Sequence, residues 1–222
     1  IRDRPLSDGT FEVEWDTSEK MVGSYTIEVY VDCDVLNKDN EGELVGDMLD
    51  NLGIDPDGTT TIRLVKLSVT AELPRTSVAQ GDDLVIKGTA YGVDEVDILI
   101  VGPKGLTATP VNLINGVIIT TASVTDNEFE EDITIPEEAD AGVYYIAVLT
   151  PGRDGYYGIS ETWQDGELLD WLLECYDTNG NGELDEWVGK SADQLMDLVR
   201  DVTINQAGSD DLIAGPLTFR VA

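Results

Sequence analysis

Apolar and polar residues alternate with period two along most of this chain, which is the pattern of half-buried β-strands. The alternation runs through Phe11, Val13 and Trp15, through Tyr25, Ile27, Val29 and Val31, and through Leu67, Val69, Ala71 and Leu73. Pro74 breaks the last of these, and Gln80-Gly-Asp-Asp83 turns the chain into a strand from Leu84 to Tyr91. Further strands are expected at Glu95 to Val101, Val111 to Val124, Glu128 to Ile135 and Val143 to Leu149. Asn115-Gly116 splits the Val111 to Val124 run, since both residues tolerate the positive φ of a type I′ hairpin turn. Short strands with turn signals at this spacing predict a mainly β chain of antiparallel, immunoglobulin-like sandwiches rather than βαβ units.

Residues 151–214 carry a different period and interrupt the second sandwich before its last strand. Asp165 is placed to cap a helix running through Tyr176, with Leu168, Leu172 and Cys175 or Tyr176 on one face and Trp171 beside them. After a glycine-rich acidic loop, Ser191-Ala-Asp-Gln194 is a capping box opening a helix striped with Leu195, Met196, Leu198 and Val199. The insertion is therefore helix, acidic loop, helix. A shorter insertion at residues 32–58 is acidic and loop-like, with a short amphipathic helix expected over Leu44 to Leu52, ended by Gly53.

The chain also repeats itself. Gly23-Ser-Tyr-Thr-Ile-Glu-Val-Tyr30 is answered by Gly142-Val-Tyr-Tyr-Ile-Ala-Val-Leu149, and TTTIRLV (Thr59 to Val65) by GPLTFRVA (Gly215 to Ala222), with Arg63 matching Arg220. Phe11 to Trp15 is answered by Phe129 to Ile135. Self-similarity on this scale signals tandem modules. The expected organisation is the C-terminal part of a first β-sandwich over residues 1–65 and a complete sandwich over residues 66–222, joined with almost no linker. Residues 1–65 are expected to be an internal piece of a longer precursor whose export signal and membrane anchor lie outside the numbered region.

A formal net charge of −32, with 45 acidic and 13 basic residues, changes the picture of partners. Such a surface repels nucleic acid, whose phosphates are bound through Lys and Arg, and equally repels anionic membranes. It favours solvation, high ionic strength and divalent cations, as a solubilising surface or as one with a specific cationic partner. No apolar run is long enough to span a bilayer. Histidine is absent, which removes the commonest general base and the commonest transition-metal ligand. Cys33 and Cys175 are too few for a disulfide scaffold; they pair only if the two insertions meet, and otherwise remain free thiols. There is no Asn-x-Ser/Thr sequon.

One stretch carries chemistry. Asp177-Thr-Asn179-Gly-Asn181-Gly182-Glu183-Leu184-Asp185-Glu186 places oxygen side chains at alternate positions, a glycine at the sharp bend and an apolar residue after it, and resembles a calcium loop of the EF-hand or dockerin kind. The expected ligands are Asp177, Asn179, Asn181, the backbone carbonyl of Glu183, and Asp185 or Glu186. At the twelfth position, where a bidentate carboxylate is expected, stands Val188. The other possibility is a ligand-free acidic turn. A weaker second loop at Asn37, Asp39, Glu41 and Glu43 keeps the bend at Gly42 but has Met48 at the twelfth position. Neither loop pairs a nucleophile with a base. Glu137, Glu138 and Asp140 lie at a strand-to-strand corner expected to be a solvated turn. Trp163, Trp171 and Trp187 are either a sugar-stacking platform or, since two lie beside leucines at helical spacing, core.

Taken together, LSVTAELPRTSVAQGDDLVIKGTAYG and DNEFEEDITIPEEADAGVYYIAVLTPG, in an acidic, histidine-free chain, resemble the repeats of archaeal surface-layer and related cell-surface proteins, particularly those of methanogens. That resemblance implies a structural, non-enzymatic protein outside the cell, with modules joined end to end into a lattice, sheath or filament and calcium stiffening the joints. The expected partners are further copies of the chain and divalent cations, and the first module is expected to be completed either by strands from residues before Ile1 or by strands that a neighbouring copy donates. An adhesin or carbohydrate-binding module of the same fold is the alternative, and an enzyme would need a pocket of convergent carboxylates that the sequence does not indicate.

Overall fold

A computed structural model describes residues 10, 13, 15, 17, 20–30, 55–152, 154–159 and 167–222. The chain is mainly β and divides into two compact units, Ile1–Lys66 and Leu67–Ala222.

In the first unit, β1 (Gly23–Val29) and β2 (Gly58–Leu64) form an antiparallel ribbon in which Gly23 faces Leu64, Tyr25 faces Ile62 and Ile27 faces Thr60. Trp15 packs edge-on against Tyr25 with ring centroids 5.1 Å apart. Val13 and Trp15 lie in no described strand, so the alternation read at Phe11 to Trp15 does not produce one among the described residues. The helix expected over residues 44–52, the second acidic loop and Cys33 lie outside the described residues.

The second unit holds β3 (Ser68–Glu72), β4 (Ser77–Val78), β5 (Asp83–Tyr91), β6 (Glu95–Val101), β7 (Val117–Ser123), β8 (Glu128–Thr134), β9 (Gly142–Thr150) and β10 (Leu212–Val221). They form a five-stranded sheet in the order β4-β10-β9-β6-β7 and a three-stranded sheet in the order β3-β5-β8. The strands of the smaller sheet alternate because only one face is buried: Leu84, Ile86, Phe129 and Ile133 point inward, while Lys87 and Glu130 pair in solvent. β6 and β9 are buried on both faces, which is why they read as nearly continuous apolar runs. Ile98, Ile100, Tyr144 and Ile146 pack toward the smaller sheet. Leu99, Val101, Ala147 and Leu149 pack the other way, against the insertion. The result is three layers: sheet, sheet, helices.

One strand start and one turn are corrected. Val111 to Ile114 forms no strand; the segment is a turn in which Val117 N–H donates to the Asn112 carbonyl at 3.1 Å, and only Gly116 takes a positive φ, of 94°. The pair of left-handed residues lies instead at Asp126 and Asn127, with φ of 54° and 66°, closing the β7–β8 connection through a Thr125–Glu128 bridge. Proline at 110 and the close approach of the Gly105 carbonyl to Gly116 explain why the chain cannot begin a ladder before residue 117. β4, only two residues long and parallel to Arg220–Val221, left no periodic signal to read.

In the insertion, α1 (Leu168–Tyr176) and α2 (Ala192–Val202) flank a 3₁₀ turn at Asp185–Trp187. The α2 capping box is present in both directions: Ser191 Oγ accepts from Gln194 N–H at 3.4 Å and Gln194 Oε1 from Ser191 N–H at 2.9 Å. α1 is capped differently. Glu167 occupies its N-cap without a side-chain bond, and Leu168 N–H donates to the Asp97 carboxylate at 3.3 Å. Asp165 lies outside the described residues.

Candidate metal centre

The acidic loop leaves α1 at Asp177 and is held by that residue's carboxylate. Its Oδ1 accepts from Gly180 N–H at 2.7 Å and Asn181 N–H at 3.1 Å, and its Oδ2 from Gly182 N–H at 2.6 Å. These donors, Gly182 first, hold the Asp177 carboxyl below the ordinary range, so it is a dependable anion at neutral pH. Gly180 and Gly182 take φ of 73° and 77°, the left-handed backbone that bends the loop around the carboxylate.

Asn179 Oδ1 and Asn181 Oδ1 each accept a backbone N–H two residues on, and both amide nitrogens donate to Asp185 Oδ2, at 2.8 and 2.9 Å. Asn179, Asn181 and Asp185 therefore converge with Asp177 on one bend. Glu183 turns its side chain away, accepting from Thr109 Oγ1 at 2.9 Å, which leaves only its backbone carbonyl for the loop, as position seven requires. Glu186 stands on the 3₁₀ turn and has no described hydrogen bond to the other five. Among the described residues no three Asp, Glu, Cys or His side chains are grouped to hold a metal. The donor set is two carboxylates, two amide oxygens and a carbonyl, all hard oxygen ligands of the kind calcium takes, with fewer charges than a tight site.

Leu184 and Trp187, both buried, plant the loop in the outer core, where Trp187 meets Tyr176 at 6.0 Å between centroids. Trp171 donates its indole N–H to the Val202 carbonyl at 2.8 Å, tying α1 to α2. With 8% and 0% exposure, Trp171 and Trp187 are core residues and present no ring face; Trp163 lies outside the described residues. Cys175 is a half-buried free thiol that burial pushes up to about 11. At the β8–β9 corner Glu137 and Glu138 are exposed and Asp140 pairs with Lys104 at 2.6 Å, the solvated turn expected there.

Two buried carboxylates escaped the reading. Asp97 on β6 and Asp211 just before β10 lie under the start of the insertion. The signal for Asp97 was a lone acid inside the apolar run Glu95 to Val101; Asp211 had none. No protein-family model matches the chain, and no curated protein matches it either.

Proposed function

We propose that the chain is a structural extracellular protein of immunoglobulin-like β-sandwich modules, the second carrying an EF-hand-like insertion, that self-associates into a surface layer, sheath or filament stabilised by calcium. The observation that carries this reading is a repeated hairpin with unequal burial. Gly23 faces Leu64, Ser24 faces Arg63 and Tyr25 faces Ile62, in the register in which Gly142 faces Val221, Val143 faces Arg220 and Tyr144 faces Phe219. Gly23 and Gly142 share a φ of 156° and 152°. Yet Ile146 is 0% exposed and its counterpart Ile27 is 38% exposed.

The same apolar face is thus a core in one unit and half-covered in the other. Covering it with strands from a neighbouring copy removes apolar surface from water and pairs the ribbon edges that have no strand partner among the described residues, and so gives a polymer directly. With a net charge of −32, copies of this chain repel one another, and divalent cations relieve that repulsion. Calcium in the Asp177–Asp185 loop, held by Asp177, Asn179, Asn181, the Glu183 carbonyl and Asp185, would stiffen the insertion rather than serve catalysis.

The adhesin alternative needs exposed indoles, and the burial of Trp171 and Trp187 counts against it. Electron microscopy of the full chain in calcium is the test. Ordered sheets or filaments support the reading, and monodisperse particles at all concentrations contradict it.

A further inference from the structure

After β9, the described residues 154–159 lie over two buried acids of the five-stranded sheet. Asp97 is 4% exposed and Asp211 6%. Asp97 Oδ2 accepts from the Tyr157 hydroxyl at 2.7 Å and from Leu168 N–H at 3.3 Å, while Asp97 Oδ1 is buried with no hydrogen-bond partner. Asp211 accepts from Gly158 N–H at 2.7 Å and from Gly152 N–H at 3.3 Å. Four donors, from Gly152, Tyr157, Gly158 and Leu168, therefore converge on two carboxylates that stand on β6 and at the start of β10, the two strands flanking β9.

The chain passes over these carboxylates where only glycine fits. A side chain on Gly152 would collide with the Asp210 carboxylate, and one on Gly158, at φ 74°, would meet the Trp171 ring at 2.7 Å. Tyr157, fully buried between the two acids, is driven well above its ordinary range by burial and then by the Asp97 and Asp211 charges, so it remains a neutral donor.

We propose that Asp97 and Asp211 form a proton-operated clamp that fixes Gly152, Tyr157 and Gly158, and the start of α1 at Leu168, to the five-stranded sheet, and that grips more tightly as the pH falls. A carboxylate closed into an apolar layer with two or three donors is poorly compensated while charged, and taking up a proton removes that cost. The described groups facing Asp97 are the Tyr157 hydroxyl and the Leu168 N–H, which favour the anion, and Glu167 and Glu95, which oppose it. Those facing Asp211 are the Gly158 and Gly152 N–H groups and Ser209, favouring the anion, and Asp154, opposing it.

Burial dominates at both acids and pushes each up to about 6. A native value above the ordinary one means that the stabilisation is complete below about pH 4 and is lost as the pH rises through about 6. The clamp rests neither on calcium nor on assembly.

The test is thermal melting of the full chain in chelator at pH 7.5 and pH 5, for the wild type and for an Asp97→Asn/Asp211→Asn double variant. The wild type is expected to gain stability on acidification, each carboxylate shifting the folding equilibrium by about tenfold, and the double variant to lose that part of the gain. An equal gain in both, as general charge repulsion alone produces, would overturn the clamp. Should the double variant not fold, carboxyl-carbon NMR titration of the wild type decides. Midpoints about 6 for both acids, with the Gly158 and Leu168 amides exchanging more slowly at pH 5 after correction for intrinsic rates, support it; midpoints near the ordinary 3.8, or unchanged protection, overturn it.

Discussion

Val188 is joined to Leu106 by an isolated parallel β-bridge, and Gly189 N–H extends it by donating to the Leu106 carbonyl at 2.8 Å. The twelfth position of the acidic loop, where a carboxylate would close on a cation, is thereby closed by backbone. Since the Val188 side chain is 43% exposed, a longer acid can be carried there without disturbing the outer core. Val188→Glu is expected to raise calcium affinity by about tenfold or more, because affinity in such loops follows ligand charge and number. Titration calorimetry of the two proteins checks this; equal affinities would mean that the ion, if bound, sits elsewhere.

The same bridge depends on glycine. Gly105 takes a φ of 66°, and a Cβ there would collide with the Lys190 carbonyl. Gly155 has a similar φ, of 77°, but open space around it. Gly155→Ala is expected to cost about 1 kcal/mol of backbone strain and Gly105→Ala distinctly more. Urea unfolding gives the order, and equal losses would show that the 105–190 approach is not a tight contact.

Ser191→Ala tests the cap of α2. Removing the hydroxyl that accepts from Gln194 N–H is expected to destabilise the second unit by about 1 kcal/mol. A change below about 0.3 kcal/mol in urea unfolding would mean that water replaces the cap at no cost.

How much of this was legible follows from what each residue answers to. Strands β3, β5, β6, β8 and β9 and the α2 capping box were readable because local pattern and tertiary burial agree there. Asn115-Gly116 misled because Gly105 and Pro110, distant from any hairpin signal, decide that turn; the left-handed pair at Asp126-Asn127 instead turns the chain from β7 in the five-stranded sheet to β8 in the three-stranded one. The loop at Asp177 was legible as a bend of oxygen-bearing side chains, since Asx geometry is local. That Glu183 would bond Thr109, or Val188 pair with Leu106, was not, because both partners come from the β6–β7 connection. Asp97 and Asp211 stayed hidden for the same reason: burial of a polar side chain depends on what the fold lays over it.

The half-covered ribbon gives a separate prediction. Ile27 is exposed enough that Ile27→Lys should change stability by no more than about 0.5 kcal/mol. In the proposed assembly it places a charge where a neighbouring sheet packs, so association is expected to fall sharply. Sedimentation velocity of the variant separates the two effects; unimpaired association would remove the ribbon face from the interface.

The central claim is that calcium stiffens and assembles this chain. Light scattering and thermal melting of the same sample, first in excess calcium and then in chelator, test it most directly. The account predicts a higher melting point and reversible association with calcium, both lost on chelation. A melting point and a scattering intensity indifferent to calcium would contradict it, and would leave the insertion to be explained by its buried helices and tryptophans alone.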